Sequence, residues 1–136
     1  MARGAFDAVL AHARDAAPHE CCGVLLGVGP RITQAVRGRN LEASTTRFLL
    51  DPHDHIEARR QARNGHQEVL GFYHSHPQSP AVPSPTDVTE ATYPDALSVI
   101  VGVREGTVEV RAFRIVGSEV DEVPLEVEGR DPHGPR

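Results

Sequence analysis

Hydrophobic positions near the N-terminus follow the three-to-four-residue spacing of an amphipathic helix, at Phe6, Val9, Leu10 and Ala13. This spacing predicts a helix over about residues 3 to 17 that packs one face on the core and ends before Pro18. A second helix is predicted after Asp51, because an acidic N-cap followed by Pro52 favours a helix start. It should run to about residues 64 or 65.

Short apolar runs bounded by turn residues predict the strands. In chain order they cover residues 22 to 27, 31 to 36, 69 to 73, 97 to 102 and 107 to 114, with a brief extended piece at 48 to 50 and a weaker strand within 116 to 127. The fourth and fifth strands should form a hairpin around Arg104, Glu105 and Gly106. The third strand should deliver His74 and His76 at its C-terminal end.

Composition limits the classes of protein that this chain can be. Its 136 residues are 39% hydrophobic and 24% charged, which suits one globular domain over residues 1 to 128 and a disordered tail over 129 to 136. No apolar run approaches the roughly 20 residues of a membrane span, and no apolar leader is present, so secretion is not expected. The net charge of −5 argues against a dedicated nucleic-acid surface. The adjacent Cys21 and Cys22 are expected to be reduced, in a cytoplasm.

Five polar side chains have the chemistry of a water-activating zinc site. His74 and His76 are two apart in a predicted extended segment, so both imidazoles can face one metal ion. Asp87 completes a set of two histidines and one carboxylate, which leaves the fourth position of one zinc ion open for water. Glu20 could take a proton from that water and pass it to a leaving amine. Ser84 could donate a hydrogen bond to a developing oxyanion.

Several of these residues also have a purely structural interpretation. The segment from Ser84 to Asp87 is a good helix start, with serine at the N-cap, proline first and an acid third. That interpretation is compatible with the functional one, since a helix start would hold Asp87 rigidly. His53 and His55 flank an acid at a helix start and are interpreted as solvated. Cys21 and Cys22 are interpreted as small buried strand residues.

The full spacing, Glu20 followed by His74-Ser75-His76, seven residues, Ser84, two residues and Asp87, resembles the JAMM motif of the MPN-domain metallopeptidases. Residues 18 to 27, the Phe48-x-x-Asp51-Pro52 segment and residues 71 to 77 also resemble family segments, so the likeness covers about residues 4 to 127. It implies an α/β fold with a curved mixed β-sheet sandwiched by helices, similar to cytidine deaminase. It also implies that His74, His76 and Asp87 bind Zn2+, with Glu20 as general base and Ser84 as oxyanion partner.

The same resemblance implies a substrate class. Members of the family cleave after the C-terminal glycines of ubiquitin or ubiquitin-like proteins, and short prokaryotic members act on sulfur-carrier proteins, for example releasing cysteine. The expected partner is therefore a ubiquitin-like sulfur-carrier protein or its conjugates, with neither a nucleic acid nor a membrane. Two alternatives stay open: a non-catalytic MPN scaffold that binds partner proteins, and a relative of JAMM-like proteins associated with DNA repair, which the acidic charge disfavours.

Overall fold

A six-stranded mixed sheet forms the centre of the computed structural model, which describes residues 1–104 and 106–129. The elements are α1 (Arg3–Ala16), β1 (Cys22–Val28), β2 (Arg31–Gly38), α2 (Pro52–Asn64), β3 (Glu68–His76), α3 (Pro85–Glu90), β4 (Leu97–Arg104), β5 (Thr107–Val116) and β6 (Glu119–Val123). The strand order is β2-β1-β3-β4-β5-β6. β3 and β4 run parallel, and every other neighbouring pair is antiparallel.

The two long helices cover opposite faces of this sheet, because successive side chains of a strand point to opposite sides. Leu25 of β1 packs with Phe6 and Val9 of α1. Its neighbours Val24 and Leu26 pack with Ala58 and Ala62 of α2. The predicted α/β sandwich with helices on both sides of a mixed sheet is therefore confirmed.

Most predicted elements are present, and three differ from their predicted extent by more than two residues. β3 continues to His76 instead of ending at Tyr73, because β4 provides a parallel partner that pairs Gly102 with His76. The extended piece at residues 48 to 50 is reduced to one bridge between Asn40 and Leu50. The last strand is shorter than its predicted window, since Gly117 turns the chain and β6 ends at Val123.

The predicted tail, residues 129 to 136, lies outside the described residues except for Gly129. The segment just before it belongs to the fold, because the Glu128 amide donates to the Met1 carbonyl and its carboxylate pairs with Arg31. Among the helices that the structure describes, none has the length and apolar character needed to cross a bilayer.

A buried polar pair lies on the α1 face of β3. The Tyr73 hydroxyl lies 2.6 Å from His12 Nδ1, and both side chains are enclosed by the core. Tyr73 packs over Gly23 of β1, where a Cβ atom would come within 2.3 Å of the tyrosine ring. Burial lowers the pKa of His12 to about 4; nearby Arg37 acts in the same direction, and Asp15 opposes it. The imidazole is therefore neutral and shares one hydrogen bond with the Tyr73 hydroxyl.

We predict that this pair makes the fold sensitive to acid. The pKa of His12 is lower in the folded chain than its ordinary 6.5, so its contribution to stability is complete above pH 6.5 and is lost as the pH falls towards 4. Replacement of His12 with glutamine should lower the free energy of unfolding at pH 7.5. The difference in this free energy between wild type and the variant should be about 2 kcal/mol smaller at pH 5. Urea unfolding at both pH values measures this, with the exposed His19→Gln as the control. A gap independent of pH would contradict the prediction.

Candidate metal centre

Two histidines project from the end of β3 towards the α2 side of the sheet. His74 and His76 have the same parity as Phe72, which packs in the α2-side core, whereas Tyr73 packs in the α1-side core. Both imidazoles are buried. The extended-chain argument that placed the two rings on one side is thus confirmed.

Asp87 brings its carboxylate to both rings. Its Oδ2 lies 3.0 Å from His74 Nε2 and 3.0 Å from His76 Nε2, and the two nitrogens are 3.1 Å apart. Four ligand atoms at about 2.1 Å from a tetrahedral ion would be about 3.4 Å apart. The three atoms therefore form a nearly equilateral triangle, slightly tighter than the face of such a tetrahedron.

The start of α3 fixes this carboxylate. Ser84 is the N-cap: its hydroxyl oxygen accepts from the Asp87 amide at 3.0 Å, and Asp87 Oδ2 accepts from the Ser84 amide at 2.9 Å. This reciprocal capping box confirms the predicted helix start. The Ser84 hydroxyl still has its own proton to donate.

A backbone carbonyl sets the tautomer of His76. His76 Nδ1 lies 2.8 Å from the Pro80 oxygen, which can only accept, so Nδ1 carries a proton. This approach requires Gly102 on β4, where a Cβ atom would come within 2.7 Å of the Ala81 amide nitrogen. A neutral His76 then presents the lone pair of Nε2 to the lone pairs of Asp87. Two acceptors 3.0 Å apart need a proton or a cation between them, and this donor set therefore fits a metal ion.

The charges of the three residues reflect burial and mutual contact. Burial opposes ionisation of Asp87, but hydrogen bonds with His74 and His76 hold the pKa of its carboxyl far below the usual range. Burial lowers the pKa of His74, which is fully enclosed, more than Asp87 raises it. Burial also acts against a charge on His76, but contacts with Asp87 and Pro80 outweigh it and raise the pKa. The centre thus holds a carboxylate that stays ionised.

Glu20 lies two residues before the start of β1 and supplies a second carboxylate to the site. One of its oxygens lies with a nitrogen of His74 and of His76 in a group whose members are within 4.8 Å of one another. Its side chain is 4% exposed, and among the described residues its Oε1 is buried without a hydrogen-bond partner. Burial raises the pKa of Glu20 to about 7; Asp87 adds to the rise and His76 opposes it. Glu20 can therefore gain or lose a proton near neutral pH.

Backbone contacts hold Glu20 opposite the histidines. The Cys21 amide donates to the Ser75 hydroxyl at 2.8 Å, and the Ser75 amide donates to the Cys21 carbonyl at 3.0 Å. Ser75 points away from the two rings that flank it, so its hydroxyl can reach the neighbouring strand. Cys21 and Cys22 are both buried free thiols, as interpreted from the sequence.

Asn40 ties Glu20 to the loop of residues 40 to 50. Its side-chain amide donates to the carbonyls of Glu20 and Arg47, at 3.0 and 3.1 Å. Its side-chain oxygen accepts from the amides of Glu42 and Leu49, at 3.0 and 2.9 Å. All hydrogen-bonding groups of this side chain are thus used to shape the loop.

The same loop places Phe48 on the metal centre. The Phe48 ring stacks on the His74 imidazole, with centroids 4.4 Å apart and an angle of 22° between the planes. Next to this contact a groove of about 360 Å³ opens from His74 and Asp87. Its walls include Phe48 and Leu49 of the loop and Phe72 of β3.

The interpretation of His53 and His55 as solvated is right for one and wrong for the other. His53 is largely exposed. His55 is half-buried, with its ring 5.0 Å from that of Phe72 and 5.6 Å from that of Tyr93, both edge-on. It lies three residues before the buried Ala58, on the helix face turned to the sheet. That spacing was available in the sequence.

Phe48, Asn40 and Tyr93 are the site residues that the sequence did not reveal. Phe48 belonged to a recognised segment, but nothing in that segment indicated that the ring stacks on an imidazole. Three of the four contacts of the Asn40 side chain reach a carbonyl or an amide between 7 and 20 residues away, and no local pattern encodes them.

Comparison with known proteins gives a family match over residues 2–116, to the prokaryotic homologues of the JAB domain. A CysO-cysteine peptidase of Mycobacterium tuberculosis is 38% identical over 89% of this chain and 85% of its own length. A desampylase of Haloferax volcanii is 36% identical over 74% and 77%. A probable TtuB-protein conjugate cleaving protease of Thermus thermophilus is 35% identical over 90% and 80%.

Solved structures agree on the fold. A protein from Desulfitobacterium hafniense superposes with a TM-score of 0.86 at 29% identity, over 98% of this chain and 97% of that one. A JAB1/MPN domain protein from Archaeoglobus fulgidus gives 0.59 at 22% identity, over 93% and 95%. The resemblance read from the motif is thereby confirmed, and at 22% identity the second likeness concerns the fold alone.

We predict that Glu20 destabilises the metal-free fold at alkaline pH. Its folded pKa of about 7 lies above the ordinary 4.5, so its favourable contribution is complete below pH 4.5 and is lost as the pH rises through 7. In chelator, the free energy of unfolding of Glu20→Gln relative to that of wild type should rise by about 2 kcal/mol between pH 5 and pH 8. Chemical denaturation measures this, with the exposed Glu42→Gln as the control. Parallel stability curves for wild type and Glu20→Gln would contradict the raised pKa.

Proposed function

The chain belongs to the family of prokaryotic homologues of the JAB domain, and from this premise we propose that it is a zinc-dependent peptidase. Its proposed reaction is hydrolysis of the bond that follows the C-terminal Gly-Gly of a ubiquitin-like or sulfur-carrier protein, for example with release of cysteine. The observation that carries the proposal is a buried Glu20 oxygen, without a hydrogen-bond partner among the described residues, beside the two histidines that Asp87 contacts.

His74, His76 and Asp87 are the residues that we assign to one Zn2+ ion. Asp87 is preferred to Glu20 as the third ligand because it lies 3.0 Å from both nitrogens and is held by the α3 capping box. When bound there, zinc supplies a Lewis acid and lowers the pKa of water. The open fourth position is typical of catalytic and not of structural sites.

The other residues of the site move protons and stabilise charge in this proposal. Glu20, whose pKa burial raises to about 7 in the metal-free chain, takes a proton from the attacking water and returns it to the leaving amine. Ser84 keeps its hydroxyl proton while its oxygen caps α3, so it can donate to the oxyanion that forms at the scissile carbonyl. Phe48 covers one face of His74 and excludes water there.

The relatives support the substrate class. Their names describe a peptidase for CysO-cysteine and a protease for TtuB-protein conjugates. We therefore propose a protein tail as the substrate, in the cytoplasm, with residues 1–128 as the catalytic domain and without a nucleic acid or a membrane as partner. A non-catalytic scaffold is disfavoured, because it would have no use for a buried carboxylate oxygen that lacks a hydrogen-bond partner among the described residues and is therefore costly to maintain.

The reaction can be tested directly on an extended carrier. A ubiquitin-like sulfur carrier with one cysteine added after Gly-Gly is incubated with zinc-loaded wild type and with zinc-loaded Glu20→Gln. Mass spectrometry should detect loss of the cysteine with wild type, and a rate at least 100-fold lower with the variant, which lacks the proton carrier. Glu42→Gln serves as the control and should match wild type. A near-normal rate for Glu20→Gln would remove this residue from the mechanism.

Metal content separates the proposed ligands from the proton carrier. Asp87→Ala removes the carboxylate that contacts both imidazoles and should lose stoichiometric zinc after dialysis. Glu20→Gln should retain one zinc per chain. Atomic absorption on the dialysed proteins gives the ratio, and circular dichroism verifies that each variant is folded. Equal zinc loss by both variants would show that Glu20 also binds the ion.

A further inference from the structure

The groove beside the metal centre is also lined by residues that the proposed reaction does not use. Its lining includes His74 and Asp87 of the metal centre together with Phe72 and Tyr93. Phe72 and Tyr93 stack, with centroids 5.2 Å apart and planes at 28°. The edges of both rings face His55. This group of His55, Phe72 and Tyr93 is called the aromatic cluster below.

The aromatic cluster leaves apolar surface in water. Tyr93 is 48% exposed, and Leu49, on the loop side of the same groove, is 50% exposed. Packing against His55 and Phe72 accounts for the buried part of Tyr93. It does not account for the exposed parts of Tyr93 and Leu49, which line the groove that His74 and Asp87 also line.

Arg59 of α2 places a positive charge beside the aromatic cluster. Arg59 Nε donates to His55 Nε2 at 2.9 Å, and the guanidinium carbon lies 5.8 Å from the centre of the Tyr93 ring. Other arginines near the groove are paired: Arg47 with Glu90, and Arg60 with Glu57. Within the described residues, Arg59 forms no ion pair, so its outer nitrogens are available to a carboxylate.

The strand spacing relates the cluster to the scissile bond. Phe72 precedes His74 by two residues of β3, which corresponds to about 7 Å of extended chain. An extended substrate whose scissile bond lies at the metal centre covers this interval with two residues. If those two residues are Gly-Gly, the first side chain on the amino-terminal side of them meets Phe72 and Tyr93.

We propose that the aromatic cluster is a specificity subsite for an apolar side chain one or two residues before Gly-Gly, and that Arg59 binds a carboxylate farther upstream on the same protein tail. The inference rests on the proposed function, since it takes the glycines of the substrate from it, and it places the residues before those glycines towards Tyr93. The occupant is thus an extended tail with an apolar residue next to the glycines and an acidic residue before that.

Tail peptides test the subsite without any turnover. Fluorescently labelled peptides that end in Gly-Gly and carry Val or Ser immediately before it are titrated with wild type, Tyr93→Ser and the control Val28→Ser, which alters an equally exposed apolar residue. Wild type and the control should bind the Val peptide about tenfold more tightly in fluorescence anisotropy. Tyr93→Ser should lose that preference. Equal affinities of wild type for the two peptides would overturn the apolar subsite.

The role of Arg59 has its own matched pair of variants. Arg59→Gln and Arg63→Gln both remove one exposed positive charge from α2. Peptides with Asp or Asn four residues before Gly-Gly should differ about fivefold in affinity for wild type and for Arg63→Gln. They should bind Arg59→Gln equally. An unchanged preference in Arg59→Gln would remove this residue from the subsite.

Cleavage of extended carriers then separates the two proposals. If wild type cleaves carriers with Val and Ser before Gly-Gly at equal kcat/KM, the subsite fails and the proposed function stands. If wild type cleaves neither carrier but still prefers the Val peptide in binding, the proposed reaction fails and the subsite stands. A tenfold preference in kcat/KM that disappears in Tyr93→Ser supports both.

Discussion

The antiparallel register of β1 and β3 is the constraint on which the site depends. Cys22 pairs with His74, and the two hydrogen bonds between Cys21 and Ser75 continue that alignment by one residue. Glu20 is thereby opposite the segment that carries both imidazoles, although 54 residues separate it from His74. A shift of one residue would turn either set of side chains to the other face of the sheet. The Ser75 hydroxyl accepts one of these two hydrogen bonds, so it helps to fix the register between the two histidines.

The loop of residues 40 to 50 joins Glu20, the proposed proton carrier, to the groove beside the metal centre. Asn40 binds the carbonyl of Glu20 and the amide of Leu49, and the Glu20 amide donates to the Ser44 carbonyl at 2.8 Å. The loop then presents Phe48 to His74. Because these contacts share one loop, a displacement of the groove wall would also displace Glu20. A substrate bound in the groove would therefore affect the position of Glu20 through this loop.

The sequence predicted the elements, and it predicted that five polar residues lie near one another, because both are encoded locally or by a fixed spacing; the roles proposed for those residues stay predictions. The strand parity of His74 and His76 and the N-cap at Ser84 are properties of a few neighbouring residues. By contrast, the stacking of Phe48 and the contacts of Asn40 depend on how a loop crosses the sheet, and no periodicity records that. The interpretation of His55 as solvated is wrong because its neighbouring charges indicate exposure, whereas its position on the face of α2 that contains Ala58 determines its burial.

The two faces of β3 bury polar groups in opposite ways, and the contrast bears on function. On the α1 face, Tyr73 and His12 form a hydrogen bond with each other. A structural role is sufficient to explain that pair. On the α2 face, one Asp87 oxygen lies 3.0 Å from a nitrogen of each imidazole, and Glu20 has a buried oxygen without a hydrogen-bond partner among the described residues. A buried polar atom without a partner costs about 1–3 kcal/mol, and the fold could avoid it with an amide or an apolar residue at position 20. An arrangement that costs stability next to an open groove is best explained by the cation and the substrate that would complete it.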